Sequence, residues 1–120
     1  MPQVKISRLT EDVRRELCDV MRQLKDPRIS GLISIVKVEL TNDLSHCKVY
    51  VSSLDGMESA KEAVKGLESA AGYIRREIAA RVKMRRSPQF SFVADDSISE
   101  SARIAKIIGD LHREEKGDSN

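Results

Sequence analysis

A chain of 120 residues is long enough for one domain with one real core and short for more than that. Apolar residues make up 40% and charged residues 33%, which excludes a chain too polar to fold, and no apolar run approaches membrane-spanning length. No signal peptide is visible behind Met1, so the expectation is a cytoplasmic protein in which Cys18 and Cys47 stay as thiols. With no CxxC and no HxxxH, the sequence offers no zinc site, and no metal or cofactor is expected.

The first predicted element is a helix. Ile6, Leu9, Val13, Leu17, Val20 and Leu24 recur at three- and four-residue steps. Ser7 or Thr10 is placed to cap it, with Glu11 and Asp12 in the first turn, and Asp26-Pro27 ends it. Ile33 to Thr41 reads as a strand whose apolar phase changes. Ile33 and Ile35 give way to Val36, Val38 and Leu40, which fits either a start buried on both faces or a bulge near Ile35. Asn42 to Ser45 is a turn, and the alternation of Cys47, Val49 and Val51 with Lys48, Tyr50 and Ser52 makes the return strand of an antiparallel hairpin.

A helical period then runs from Met57 to Lys83, too long for one helix in a small domain. Gly66 and Gly72 interrupt it, each costing about 1 kcal/mol against alanine. Ala70-Ala71-Gly72 reads as a kink, with a continuous helix packed closely on the sheet as the alternative. Ser87-Pro88 stops this region, Phe90 and Phe92 lie on one face of a short strand, and Ser97 with Glu100 forms a capping box for a last helix. That helix carries Ile98, Ala102, Ala105, Ile108 and Leu111. The expected domain is residues 1–113, with 114–120 a flexible polar tail. The order α-β-β-α-α-β-α gives an α+β sheet with one face covered by helices and one more open to solvent.

These elements carry a specific resemblance. Asp26-Pro27-Arg28-Ile29, the run Val36 to Ser45, Lys48 to Ser52, Ala70 to Arg75, Met84 to Pro88, Phe90 to Phe92, Asp96 to Ile98 and Arg103-Ile104 resemble the bacterial ribosome-binding factor A family, in the same order over about residues 4–112. The resemblance implies a type II KH-like fold, α-β-β-α-α-β plus a C-terminal helix. It also implies a helix-kink-helix of Ala-x-Gly sequence, matched by Ala70-Ala71-Gly72, in place of the Gly-x-x-Gly loop of an ordinary KH domain. It further implies a factor that binds free small ribosomal subunits and assists late maturation and processing of their RNA near the 5′-terminal helix region, with a link to cold adaptation.

Net charge is only +2, but its distribution is uneven. Residues 73–88 carry six basic side chains (Arg75, Arg76, Arg81, Lys83, Arg85, Arg86) against one acid, Glu77, a local excess of five. That exceeds what a helix dipole asks of its last turn, so these six are the candidate RNA-binding residues. Arg75, Arg76 and Lys83 fall between Ile74, Ile78 and Val82 and should project outward; Arg81 lies near their edge. The arginines of the first helix alternate with acids and read mostly as solvated charge; Arg8 and Arg28 are peripheral candidates. Phe90 and Phe92 read as core rather than a base-stacking platform, so folded RNA met through its phosphates fits better than a single strand. Catalysis fails on inventory. His46 and Cys47 point to opposite strand faces, and Asp95-Asp96 is explained by the helix start beside it. The expected partners are small-subunit ribosomal RNA and the free subunit, with no membrane or small-molecule substrate, bound by a monomer. A protein-interaction module using the hairpin and the last helix is the second reading.

Overall fold

The computed structural model describes residues 2–29, 31–84 and 87–118. The elements are α1 (Pro2–Gln23), β1 (Ile33–Leu40), β2 (His46–Ser53), α2 (Met57–Ser69), α3 (Ala71–Arg81), β3 (Gln89–Asp95) and α4 (Ser97–Asp118). They form the expected α+β chain order. The sheet order is β1-β2-β3, with β2 antiparallel to β1 and parallel to β3. Parallel pairing follows from the α2–α3 crossover, which returns the chain to the end of the sheet where β2 began.

The core lies between one sheet face and the helices. Val13, Leu17 and Val20 from α1 meet Val38, Val49 and Val51 from the sheet, and Leu67, Ile74 and Ile78 complete the layer. Phe92 is buried in this core, with Phe90 stacked beside it at a ring-centroid distance of 6.5 Å. Both aromatics therefore pack inward. The other face carries the exposed Lys37, Glu39, Lys48 and Ser91. There the Lys37 and Lys48 ammoniums lie 5.6 and 5.2 Å from the Tyr50 ring centroid.

The phase change in β1 is a bulge. Register shifts between Ile35 and Lys37, so Val36 is the extra residue and burial passes from Ile33 and Ile35 to Val38. The long helical segment breaks where expected. Ala70 (φ −97°, ψ 10°) separates α2 from α3, and its N–H is shared between the Gly66 and Leu67 carbonyls at 3.2 and 3.1 Å. The break lets α2 bury Ala63 and Leu67 while α3 buries Ile74 and Ile78.

Two local expectations need correction. α1 starts at Pro2, not at Ser7 or Thr10; Thr10 sits inside the helix and donates its hydroxyl to the Ile6 carbonyl at 2.7 Å. Proline suits a helix's first turn, which has no intrahelical acceptor for the missing N–H. The capping box does not form. Asp96 supplies the carbonyl that accepts the Glu100 N–H (2.9 Å), Asp95 Oδ1 accepts the Ser97 N–H (2.7 Å), and Glu100 pairs with Arg103 instead. Asp95 is thereby held below the usual carboxylate range. The two glycines of the helical segment differ in their surroundings, and close backbone packing occurs at Gly66. A Cβ on Gly66 would stand 2.9 Å from Asp26 Oδ2 and 3.1 Å from Ile29 Cγ1, whereas one on Gly72 would meet nothing within 4 Å. The Asp26–Ile29 turn thus docks on bare helix backbone, locked by Arg28 reaching Asp26 Oδ2 at 2.7 Å.

Candidate nucleic-acid interface

α3 buries Ile74 and Ile78, and Val82 just beyond it is buried too. This four-residue repeat turns Arg75 and Arg76 outward, and both are exposed. Gly72, Ala79 and Ala80 share that exposed side. Small side chains there leave the arginines standing clear of their surroundings, so an extended polyanion meets charge before it meets bulk. Sequence reading took Gly72 only as part of the kink and passed over Ala79 and Ala80 because they carry no charge; their spacing of three and four from Arg76 is the signal that marks them.

The cations differ in how free they are. Arg76 and Lys83 are exposed and have no ion-pair partner among the described residues. Arg75 donates through Nε and Nη2 to the Ser87 carbonyl at 3.3 and 3.1 Å, and Ser87 Oγ donates back to the Arg75 carbonyl at 3.1 Å. It therefore pins the segment before β3 to α3 while keeping an exposed guanidinium. Arg81 departs from the expected role. Its guanidinium lies 2.5 Å from Asp19, 3.7 Å from Glu16 and 3.4 Å from Glu77, with its side chain only 23% exposed. The Asp19 carboxylate pushes its pKa further above the ordinary guanidinium value, with Glu77 adding to the effect. The cause is positional. Arg81 follows Ile74 by seven residues, nearly two full turns, so it falls on the packed side against α1. Lys83 lies past the end of α3. Arg85 and Arg86 lie outside the described residues.

Among the described residues no three His, Cys, Asp or Glu side chains gather as a metal site. His46 is exposed and Cys47 buried, on opposite strand faces, and burial pushes the Cys47 thiol up to about 12, where it stays protonated.

Comparison with known proteins agrees with this architecture. The family model described as ribosome-binding factor A matches residues 5–108. The chain belongs to the ribosome-binding factor A family. Its relatives of that name include one from Acetivibrio thermocellus, 45% identical over 114 residues, covering 94% of this chain and 93% of the relative. Another from Caldanaerobacter subterraneus is 43% identical over 119 residues, covering 98% and 97%. The crystal structure of ribosome-binding factor A from Thermus thermophilus superposes with a TM-score of 0.66 at 30% identity, over 74% of this chain and 93% of that one. Coordinates of the Thermus thermophilus factor fitted into a cryo-EM map of a 30S complex match with a TM-score of 0.60 at 31% identity, over 72% and 90%. These likenesses support the KH-like fold, in which the Ala70 break takes the place of a Gly-x-x-Gly loop. No helix among the described residues is long and apolar enough to cross a membrane.

Proposed function

We propose that this protein is a ribosome-assembly factor that binds the free small ribosomal subunit and assists late maturation and processing of its RNA, near the 5′-terminal helix region. It acts by binding rather than catalysis, as a cytoplasmic monomer with a role in cold adaptation. Family membership supports the subunit as target, since the Thermus relative was fitted into a 30S complex. The observation that carries the RNA reading is the exposed face of α3, where Arg75 and Arg76 stand among Gly72, Ala79 and Ala80 with Lys83 beyond. Guanidinium groups meet phosphate through paired hydrogen bonds. Arg85 and Arg86 extend the same run in sequence. Arg81 serves this surface from behind, holding α3 to α1.

The test is filter binding of free small subunits across a salt series, with Arg75, Arg76 and Lys83 changed to glutamine. Removing one cation that neutralises a phosphate lowers the salt slope by about one unit. The triple variant binds more weakly and fails to rescue growth at low temperature in a strain lacking the factor. Arg15, Lys61 and Lys65, each already paired with an acid on its own helix, form the control set and leave the slope unchanged. Equal weakening in both sets would mean diffuse charge attraction. Unchanged binding in the first set would move the interface away from α3 and favour recognition through protein.

A further inference from the structure

β1 is an edge strand, since only β2 has a neighbour on each side. The Leu54 N–H donates to the Leu32 carbonyl at 3.2 Å, which marks Leu32 and Leu54 as a hydrogen-bonded pair. Such pairs alternate in an antiparallel ladder, so Ser34 and Ser52 exchange bonds while Ile33 and Ile35 turn their N–H and C=O groups away from β2. The bulge at Val36 ends this regular stretch.

Beside it lies a groove of about 480 Å³ between β1 and α1. Three consecutive strand residues, Ile33 to Ile35, line it, so it follows the strand's backbone edge rather than one face. Met21, Leu24 and Ile29 give it an apolar floor. The charged residues lining it are Arg14 and Arg22, with no carboxylate among them. Among the described residues Arg14 reaches only Glu11, at 3.7 Å, and Arg22 uses its Nε on the Cys18 carbonyl at 3.3 Å, so both guanidiniums keep donors in reserve.

We propose that this groove receives an extended peptide segment of a partner protein, which adds a short strand to β1 over Ile33–Ile35 and presents a carboxylate to Arg14 and Arg22. The edge supplies alternating backbone donors and acceptors, the floor takes an apolar side chain, and the arginines select an acidic one. A nucleic acid satisfies the arginines alone, having neither a peptide ladder for the edge nor an aliphatic side chain for the floor. The bulge confines pairing to a few residues, which suits a transient contact. This surface is separate from the arginines of α3, so its test is independent of the RNA reading.

The experiment pans a display library of random short peptides against the full-length protein and against its Arg14→Gln/Arg22→Gln variant. Peptides enriched on the wild type should alternate apolar residues, carry Asp or Glu and lack proline in the paired stretch. A synthetic peptide from that set should slow amide exchange at Ile33 and Ile35 and slow alkylation of Cys18, which also lines the groove. It should bind the double variant about tenfold more weakly, the reduction expected for charge-assisted pairs, while the variant's thermal melt stays that of the wild type. Absence of any peptide enriched over the double variant overturns the proposal, as does binding that leaves Ile33 and Ile35 exchange unchanged. Weaker oligouridylate binding by the double variant, with no peptide selected, would also overturn it and make the arginines a phosphate contact.

Discussion

Gly66 and Gly72 both interrupt the helical period between Met57 and Lys83, and by propensity alone each should gain from alanine. Their surroundings separate them. At Gly66 a Cβ would press on the Asp26 carboxylate at 2.9 Å, and that carboxylate cannot swing aside without leaving Arg28. Gly66→Ala is expected to destabilise by about 1–3 kcal/mol through overpacking, outweighing the helix-propensity gain of about 1 kcal/mol. Gly72→Ala meets open space and should gain up to about 1 kcal/mol. Urea denaturation of the two variants checks the opposite signs. Arg76 and Arg81 form a second contrast. Arg81→Gln should lower the melting temperature, since Asp19, Glu16 and Glu77 lose their shared cation, and leave the salt slope of subunit binding unchanged. Arg76→Gln should do the reverse. In the hairpin turn, Asp43 accepts bonds from Thr41 Oγ1 (2.8 Å), Ser45 Oγ (2.7 Å) and the Ser45 N–H (3.1 Å), which hold its pKa down at about 2 from an ordinary 3.8. A carboxylate depressed in the fold stabilises it fully above its ordinary value and loses that contribution as pH falls through its folded one. The turn should therefore weaken between about pH 4 and pH 2, and an NMR titration of the Asp43 carboxyl reads the midpoint directly.

Among the elements, α4 behaves unlike the other helices. Its apolar residues also recur at helical spacing, though less sharply than in α1, and Ile104, Ile107, Ile108 and Leu111 remain 52%, 49%, 61% and 56% exposed. It is anchored at its start, where the Ile98 N–H donates to the buried Ser52 hydroxyl at 3.1 Å, and residues 101–109 beyond are exposed. Truncation after Ala102 should accordingly shift the melting temperature by less than about 3 °C, because little burial is removed, as a calorimetric scan of the shortened chain would show. α4 also runs to Asp118, into the segment read from sequence as a polar tail. The break between α2 and α3 was legible, because glycine and alanines meet there and Leu67 and Ile74 must both be buried. The bulge in β1 was legible as one of two options, since a period-two pattern that slips by one residue demands an extra residue or burial on both faces. The docking of the Asp26–Ile29 turn on Gly66 was not, because it joins segments about forty residues apart whose proximity no local pattern records.

For the whole molecule, α1, α2 and α3 bury their stripes on one sheet face, leaving the exposed side of α4 as a surplus beside the scattered Leu32, Leu54, Met57 and Tyr73. A stable dimer buries about 800 Å² on each partner, more than four side chains on one helix supply. Sedimentation at micromolar concentration is expected to show a monomer, and a dimer that vanishes on truncating α4 would locate the error.

Element order, the helix-covered sheet, the hairpin, the kink and the family could all be read along the chain, because they follow from local periodicity and from motifs. So could the basic run from Arg75 to Arg86. Other features came only with folding. The packed core placed β3 parallel beside β2, made β1 a free edge along a groove with Arg14 and Arg22, and left the face of α4 bare. It also divided the run of charge, committing Arg81 to α1 while Arg75 and Arg76 stay outward as their spacing predicts. An ion pair or an unpaired edge depends on which distant segments the core brings together, and charge counted along the chain carries no record of that.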